Sequence, residues 1–311
     1  MSGYVISVDC GATSIRAALF DMEERRLLGM KLLHHYKDAA PPYMLEELVS
    51  HLKILCSDNG TAFREVHMLV VGLAALHDSE GNITIWPNRP NWNEFPFRRK
   101  LEELSHCTVI IKDDAALASM GEYAFGLTKR VNHLLTVSIG TGIGSGIILN
   151  GELHNGANGS SGELGHVCVE PMGLPCSCGS RGCLQLYASG RAIERMAEEQ
   201  LGERLLASRV FELAGEQDET AAAIVNTSLQ YLAAAIANTV KLLDPDLVVL
   251  GGGLVTRNPE VYQSLQGRVQ RQMGSMPHNN IGVALSALGE EAPLWGGLAC
   301  FNSQYIFQKE R

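Results

Sequence analysis

The sequence predicts an α/β protein of two lobes with related topology and a cleft between them. Three observations lead there. A strand–tight turn–strand unit with small and hydroxyl residues in its turn occupies residues 5–20, and a second occupies residues 136–149. The order of strand hairpin, strand, helix, strand, helix then occurs twice along the chain. With 311 residues and 46% hydrophobic content, the chain is long enough for two domains and a large buried core. The pattern restarts near residue 127. The expected lobes are therefore a small one over 1–126, joined by a C-terminal helix at about 295–311, and a large one over 127–294.

Taken in order, residues 5–8, 16–20 and 27–33 read as strands. Residues 43–56 carry apolar positions three and four apart and read as a helix, with Pro41 and Pro42 where a helix start tolerates them. The continuous apolar run 68–72 is that of a buried strand. A short strand at 82–86 ends at Pro87, a helix follows at 95–104 and a strand at 108–111. The alanine-rich stretch 114–125 reads as a helix with Asp113 or Asp114 at its N-cap. Past the second hairpin comes a glycine- and cysteine-rich loop region, 151–182. Helices at 190–201, 207–215 and roughly 219–243 follow. The last of these stops at Asp244-Pro245, and a strand at 247–250 runs into Gly251-Gly252-Gly253. A final helix begins near Pro293.

Charge and cysteine usage narrow the function classes. The net charge is −9 and no basic run occurs, against nucleic-acid binding, which needs clustered Lys and Arg. The first residues enter a strand without a charged leader, so a secretory signal is not expected. The nearest approach to a membrane span, 231–243, contains Asn238 and Lys241, and no membrane association is expected. Cys10, Cys56, Cys107 and Cys300 stand singly in apolar surroundings, which suits buried thiols in a reducing cytoplasm.

Both hairpin turns suit polyphosphate. A tight turn leaves backbone N–H groups unpaired, and small residues let an anion approach them. Thr13, Ser14, Thr141 and Ser145 add hydroxyls, and Asp9 ends its strand where a carboxylate can hold hydrated Mg²⁺. Tight hairpins favour glycine for their own sake; the duplication, the hydroxyls and the strand-end aspartate favour phosphate. The Gly140-x-Gly142-x-Gly144 spacing is not that of a Rossmann turn, and no P-loop occurs.

Two further groups carry chemistry. His166 is followed after nine residues by Cys176, Cys178 and Cys183, a ligand set that closes a structural tetrahedral Zn²⁺ site. A disulfide pair or free thiols are the alternatives. Asp113 and Asp114 follow a strand directly; there a carboxylate can serve as the base that phosphoryl transfer to an alcohol requires, or can simply cap the helix.

Asp9-x-Gly11-x-Thr13 and Ile139-Gly140-Thr141-Gly142-x-Gly144 resemble the two phosphate motifs of the sugar kinase/Hsp70/actin superfamily. The stretch ending in Gly251, Gly252 and Gly253 resembles its adenosine motif, although a triple glycine also suits a flexible strand-to-helix turn. Glu163-x-Gly165-His166 followed by Cys-x-Cys-Gly-x-x-Gly-Cys is similar to the signature of the ROK family, which holds repressors and sugar kinases. The resemblance runs from Asp9 to the last helix. It implies an actin-like ATPase (ribonuclease H-like) fold with ATP and Mg²⁺ held by Asp9, Gly11, Ala12, Thr13, Gly140, Thr141, Gly142, Gly144 and the triple glycine. It implies structural Zn²⁺ on His166, Cys176, Cys178 and Cys183, sugar contacts from Asn88, Asp113, Asp114, Glu163, His166 and Gln185, and Asp114 as catalytic base.

Three positions depart from the family pattern. Ala12 stands for a glycine, Asp113 for an asparagine, and Gln185 for a glutamate. The last two put the common glucose specificity in doubt. Ala12 with Ile15 and Arg16 is similar to the D-allose kinase branch. The resemblance thus implies an ATP-dependent kinase acting on the 6-hydroxyl of a hexose, D-allose, glucose or a related sugar, and a homodimer. Alternatives are an N-acylmannosamine kinase or a sugar sensor with little catalysis. A repressor is disfavoured, because Asp9 comes too early for a DNA-binding domain ahead of it.

Overall fold

The structure, a computed structural model, describes residues 3–11, 14–33, 40–86, 89–275 and 281–309. The chain divides into two compact units, Met1–Gly126 with Glu291–Arg311, and Leu127–Glu290.

The first unit opens with an antiparallel meander, β1 (Tyr4–Cys10), β2 (Ile15–Asp21) and β3 (Arg26–Leu33). Helix α1 (Pro41–Asp58) leads to β4 (Val66–Leu73), which pairs parallel to β1. A small ribbon of β5 (Leu76–His77) and β6 (Ile83–Ile85) precedes α2 (Phe97–Ser105), β7 (Thr108–Asp113) and α3 (Asp114–Gly121). The sheet order is β3-β2-β1-β4-β7.

The second unit repeats that plan. Strands β8 (Leu134–Ile139), β9 (Ile143–Leu149) and β10 (Glu152–Leu153) form the meander. Helices α4 (Gln185–Ala188), α5 (Gly190–Leu201), α6 (Ala207–Gly215) and α7 (Glu219–Leu243) follow. Then come β11 (Leu247–Gly251), α8 (Gly253–Thr256), α9 (Pro259–Met273) and β12 (Gly282–Leu285). The order β10-β9-β8-β11-β12 matches the first sheet position for position. The chain then returns to the first unit as α10 (Ala292–Lys309).

Side-chain alternation explains how each sheet is covered. On β1, Ile6, Val8 and Cys10 face the core that includes Met44, Leu48 and Leu52 of α1 and Leu101 of α2. Val5, on the opposite face, packs with Leu117 of α3 and Leu294 and Leu298 of α10. Helix α10 approaches so closely that a Cβ on Gly296 would strike the backbone of Leu117. Gly296→Ala is therefore expected to destabilise the protein by about 3 kcal/mol through overpacking, although alanine is the better helix former by about 1 kcal/mol. Denaturant unfolding checks this.

Helix α7 is the long element of the second core. Asp218 caps it, accepting the Ala221 N–H at 2.8 Å, and Asp244 ends it in the left-handed region at φ 46°. Its 25 residues span about 37 Å, so by length and apolar composition it could cross a membrane, beyond the shorter run expected from the sequence. Here Ile224, Leu229, Leu232, Ile236 and Val240 are buried in the core with β8, β11 and α9.

Boundaries differ modestly from expectation. The helix expected over 114–125 is α-helical only to Gly121 and ends in a π-helical turn, Glu122–Gly126. The strand expected over 82–86 shortens to β6. Helix α9 and strand β12 carry no expectation from the sequence.

Candidate functional site

In the second unit, two glycine turns meet at the carboxyl-terminal ends of neighbouring parallel strands. Strand β11 pairs with β8 so that Gly251 lies opposite Ser138. Gly252 sits at φ 82°, and any side chain there would collide with the backbone of Ile139. The Gly251-Gly252-Gly253 turn thus packs directly on the residue that enters the Gly140-Thr141-Gly142 turn. Gly144 faces Ser138 across the hairpin. Loops beyond the carboxyl ends of parallel strands are where α/β folds bind ligands.

The same unit holds the His–Cys cluster. The ligand atoms of His166, Cys176, Cys178 and Cys183 all lie within 4.8 Å of one another. Cys176 Sγ is 3.6 Å from His166 Nδ1, and the Cys178 and Cys183 sulfurs are 3.7 Å apart. Tetrahedral ligation with Zn–S bonds near 2.3 Å requires a sulfur–sulfur edge of about 3.8 Å, so this donor set fits Zn²⁺. Burial alone raises the Cys176 thiol, but hydrogen bonds from Cys178, Cys183 and Gln185 outweigh it and bring it down to about 6. Burial and the neighbouring sulfurs push Cys183 up to about 12.

The cluster is tied to the turn end of the hairpin at two points. Glu163 precedes the short turn Leu164–His166, and Ser145 of β9 donates its hydroxyl to the Gly162 carbonyl at 2.7 Å, fastening the Glu163 segment to the hairpin. Gln185 donates to Cys176 Sγ at 3.7 Å, and its amide oxygen lies 3.6 Å from where a Cβ on Gly142 would stand. Gln185 therefore sits between the cysteines and the phosphate-type turn.

In the first unit, the acidic residues gather at the carboxyl ends of β1, β4 and β7. Asp9 on β1 pairs with Gly72 on β4, and Gly72 with Lys112 on β7. A Cβ on Gly72 would come within 3.4 Å of Asp114 Cα and 3.6 Å of its Cβ, so Asp114 lies over the strand beside Asp9. Asp113 is the N-cap of α3; its carboxylate accepts the N–H groups of Ala115 and Ala116, both at 3.0 Å. Asp9 is 6% exposed, and Arg16, its cross-strand partner, brings Nε to 3.7 Å. Gly11 lies at the end of β1; Ala12, Thr13 and Asn88 lie outside the described residues.

Cys10 reports the field at this end of the sheet. Burial pushes its thiol up to about 12, Asp9 adds to the shift, Arg89 opposes it and Asp114 adds again. Arg89 is 2% exposed, and its guanidinium lies 4.9 Å from the Trp86 ring centre and 5.9 Å from that of Trp92. Trp92 is itself fully buried against Trp86 and Phe95, so it anchors this segment.

The sequence reading missed residues flanking the second unit's turns. Ser286 donates its N–H to the Leu250 carbonyl and stands beside Gly251. Glu290 pairs with Arg257 and lies 3.1 Å from where a Cβ on Gly253 would stand. None belongs to a recognisable motif. Ser189 and Gly190, the N-cap and first residue of α5, carried a readable signal, a serine N-cap at a helix start.

The sequence model of the ROK family matches residues 5–304. The chain belongs to the ROK family. Among solved structures, this ROK chain is similar to a ROK hexokinase from Thermus thermophilus, with a TM-score of 0.83 and 30% identity over 97% of this chain and 99% of that one. It is also similar to a ROK family glucokinase from Streptomyces griseus in complex with glucose and AMPPNP, with a TM-score of 0.81 and 28% identity over 96% of this chain and 99% of that one. The xylose repressor of Bacillus subtilis is 29% identical across 95% of this chain and 76% of its own length. The fold is that of the actin-like ATPases, with the ribonuclease H-like sheet in each unit.

Proposed function

We propose that this ROK protein is an ATP-dependent sugar kinase that phosphorylates the 6-hydroxyl of a hexose: D-allose, glucose or a related sugar. The observation that carries the reading is the packing of Gly252 on Ile139, which brings an adenosine-type turn against a phosphate-type turn. The likeness to a glucokinase bound to glucose and AMPPNP supports it.

In this reading the nucleotide's adenosine lies on Gly251, Gly252 and Gly253, and its phosphates on Gly140, Thr141, Gly142 and Gly144. The first unit adds Gly11, Ala12 and Thr13. Asp9 suits a divalent metal that keeps its waters, since it offers one carboxylate at the carboxyl-terminal end of β1. Mg²⁺ bound there supplies charge neutralisation for the phosphates. Asn88, Asp113, Glu163, His166 and Gln185 orient the sugar. Asp114 accepts the proton of the 6-hydroxyl as the oxygen forms its bond to the γ-phosphorus. The bond from γ-phosphorus to the bridging oxygen breaks, and ADP leaves with that electron pair. The zinc cluster holds the Glu163–His166 segment in place.

Purified protein with ATP and Mg²⁺ is expected to form ADP only when a hexose is present. A panel of allose, glucose, mannose, fructose and N-acetylmannosamine names the substrate, and ³¹P NMR of the product locates the phosphate. ADP formation indifferent to every sugar overturns the reading. The likeness to a xylose repressor across 95% of this chain favours a second reading, a sugar-responsive regulator. Sugar binding without turnover, together with operator-type DNA binding, would select it; the net charge of −9 opposes it. The kinase reading also places the protein in the cytoplasm as a homodimer, which sedimentation tests.

A further inference from the structure

The first turn of α5 docks on the outside of the Gly140-Thr141-Gly142 turn. A helix start normally leaves four N–H groups without intrahelical acceptors. Here the Gly190, Arg191 and Ala192 N–H groups each have an acceptor. Gly190 donates to the Gly140 carbonyl at 2.8 Å, and Arg191 to the Thr141 carbonyl at 3.4 Å. Ala192 donates to Ser189 Oγ at 3.2 Å, and Ile193 to the Ser189 carbonyl at 3.0 Å. The Gly190, Arg191 and Ala192 N–H groups are therefore not available to an anion. The first two go into holding two carbonyls of the turn.

That grip has a consequence fixed by peptide geometry. In a trans peptide the carbonyl and the following N–H point to opposite sides, and no cis peptide occurs among the described residues. With the Gly140 and Thr141 carbonyls drawn to α5, the N–H groups of Thr141 and Gly142 face away from the helix, on one side of the turn. Gly140 donates its own N–H to the Gly142 carbonyl at 3.0 Å. Among the described residues, neither the Thr141 nor the Gly142 N–H has an acceptor. Two successive N–H groups aimed together form an anion nest. The close approach depends on Gly190, since a Cβ there would stand 2.9 Å from the Gly140 oxygen. Ser189 fixes the helix start from inside, donating its hydroxyl to the Gln185 carbonyl at 2.7 Å while accepting from Ala192.

We propose that Ser189 and Gly190 are positioning residues for the nucleotide's phosphate chain: they set α5 against the hairpin so that the Thr141 and Gly142 N–H groups point at phosphate oxygens. The inference rests on the reading of this chain as an ATP-using kinase, and nucleotide binding tests it apart from turnover. Calorimetric titration compares AMPPNP with adenosine, each with Mg²⁺, on wild type and Gly190→Ala. The variant is expected to lose roughly tenfold in AMPPNP affinity, the worth of one weakened charge-assisted hydrogen bond, with adenosine affinity unchanged. In turnover, KM for ATP rises and KM for the sugar does not. Ser189→Ala gives a smaller loss of the same kind, and Ser189→Thr restores it, which keeps the test decisive if Gly190→Ala does not fold. Equal losses for AMPPNP and adenosine, or no loss for either, overturn the proposal. Wild-type protein that binds AMPPNP but phosphorylates no sugar removes the kinase reading and leaves this inference standing.

Discussion

Asp114→Asn is expected to lower kcat by about 10²–10⁴-fold, the usual contribution of a general base, while sugar affinity stays close to that of the wild type. Asp114 opens α3 directly after β7 and lies over Gly72, one strand from Asp9. The fold fixes that placement rather than a mobile loop. Asp113, not Asp114, carries the helix cap, through two hydrogen bonds of 3.0 Å. Asparagine at 114 therefore leaves the cap intact and keeps the side chain's shape. What it removes is the ability to take a proton. An amide oxygen still accepts a hydrogen bond from a sugar hydroxyl, so binding persists while chemistry stops. A coupled assay of ADP release read beside calorimetric sugar binding separates the two. Turnover near the wild-type rate takes Asp114 out of the proposed role.

Sequence and structure agree most closely where one physical rule acts alone. The apolar run 68–72 is typical of a buried strand, and it is β4 between β1 and β7. Helices α5, α6 and α7 begin and end at the residues expected from the sequence. Strand β12 is four residues, Gly282–Leu285, too short for alternation to stand out. Helix α9 carries a narrow apolar stripe, Val261, Leu265, Val269 and Met273, among polar residues. The site divides in the same way. The cysteine spacing marks out a candidate metal-ligand set because coordination geometry constrains it, and the structure brings those four side chains together. The grip of α5 on the Gly140 and Thr141 carbonyls is backbone bonding between segments far apart in the chain, and backbone bonds leave almost no mark in side-chain identity. Glu290 and Arg257 are unreadable for a related reason, since their pairing exists only once β11 and the segment after β12 have come together.

With Zn²⁺ on the proposed His166, Cys176, Cys178 and Cys183 site, removing it with a chelator or by Cys183→Ala is expected to weaken both sugar and nucleotide binding by roughly tenfold, about 1.4 kcal/mol each, while the two cores stay folded. The cluster lies at a junction. On one side His166 continues the segment that carries Glu163, which Ser145 of β9 fastens through the Gly162 carbonyl. On the other, Cys183 leads to Gln185, whose carbonyl accepts from Ser189, and on to the Gly190 N–H that holds the phosphate-type turn. A tetrahedral ion fixes the sulfurs and the imidazole together, so without it both arms lose their common anchor. Cys176 and Cys183 are buried, but the apolar cluster around α7 is built without them, from residues such as Leu232 and Ile236 of α7, Leu250 of β11 and Leu265 of α9. Helix content read by far-ultraviolet circular dichroism is therefore expected to survive metal removal, and calorimetric titration with sugar and with AMPPNP reads the two losses separately. A loss in sugar binding alone would cut the arm through Gln185 and Ser189 out of the account, because the ion would then steady only the Glu163 segment. Unchanged affinity for both ligands in metal-free protein would leave the cluster without a part in binding.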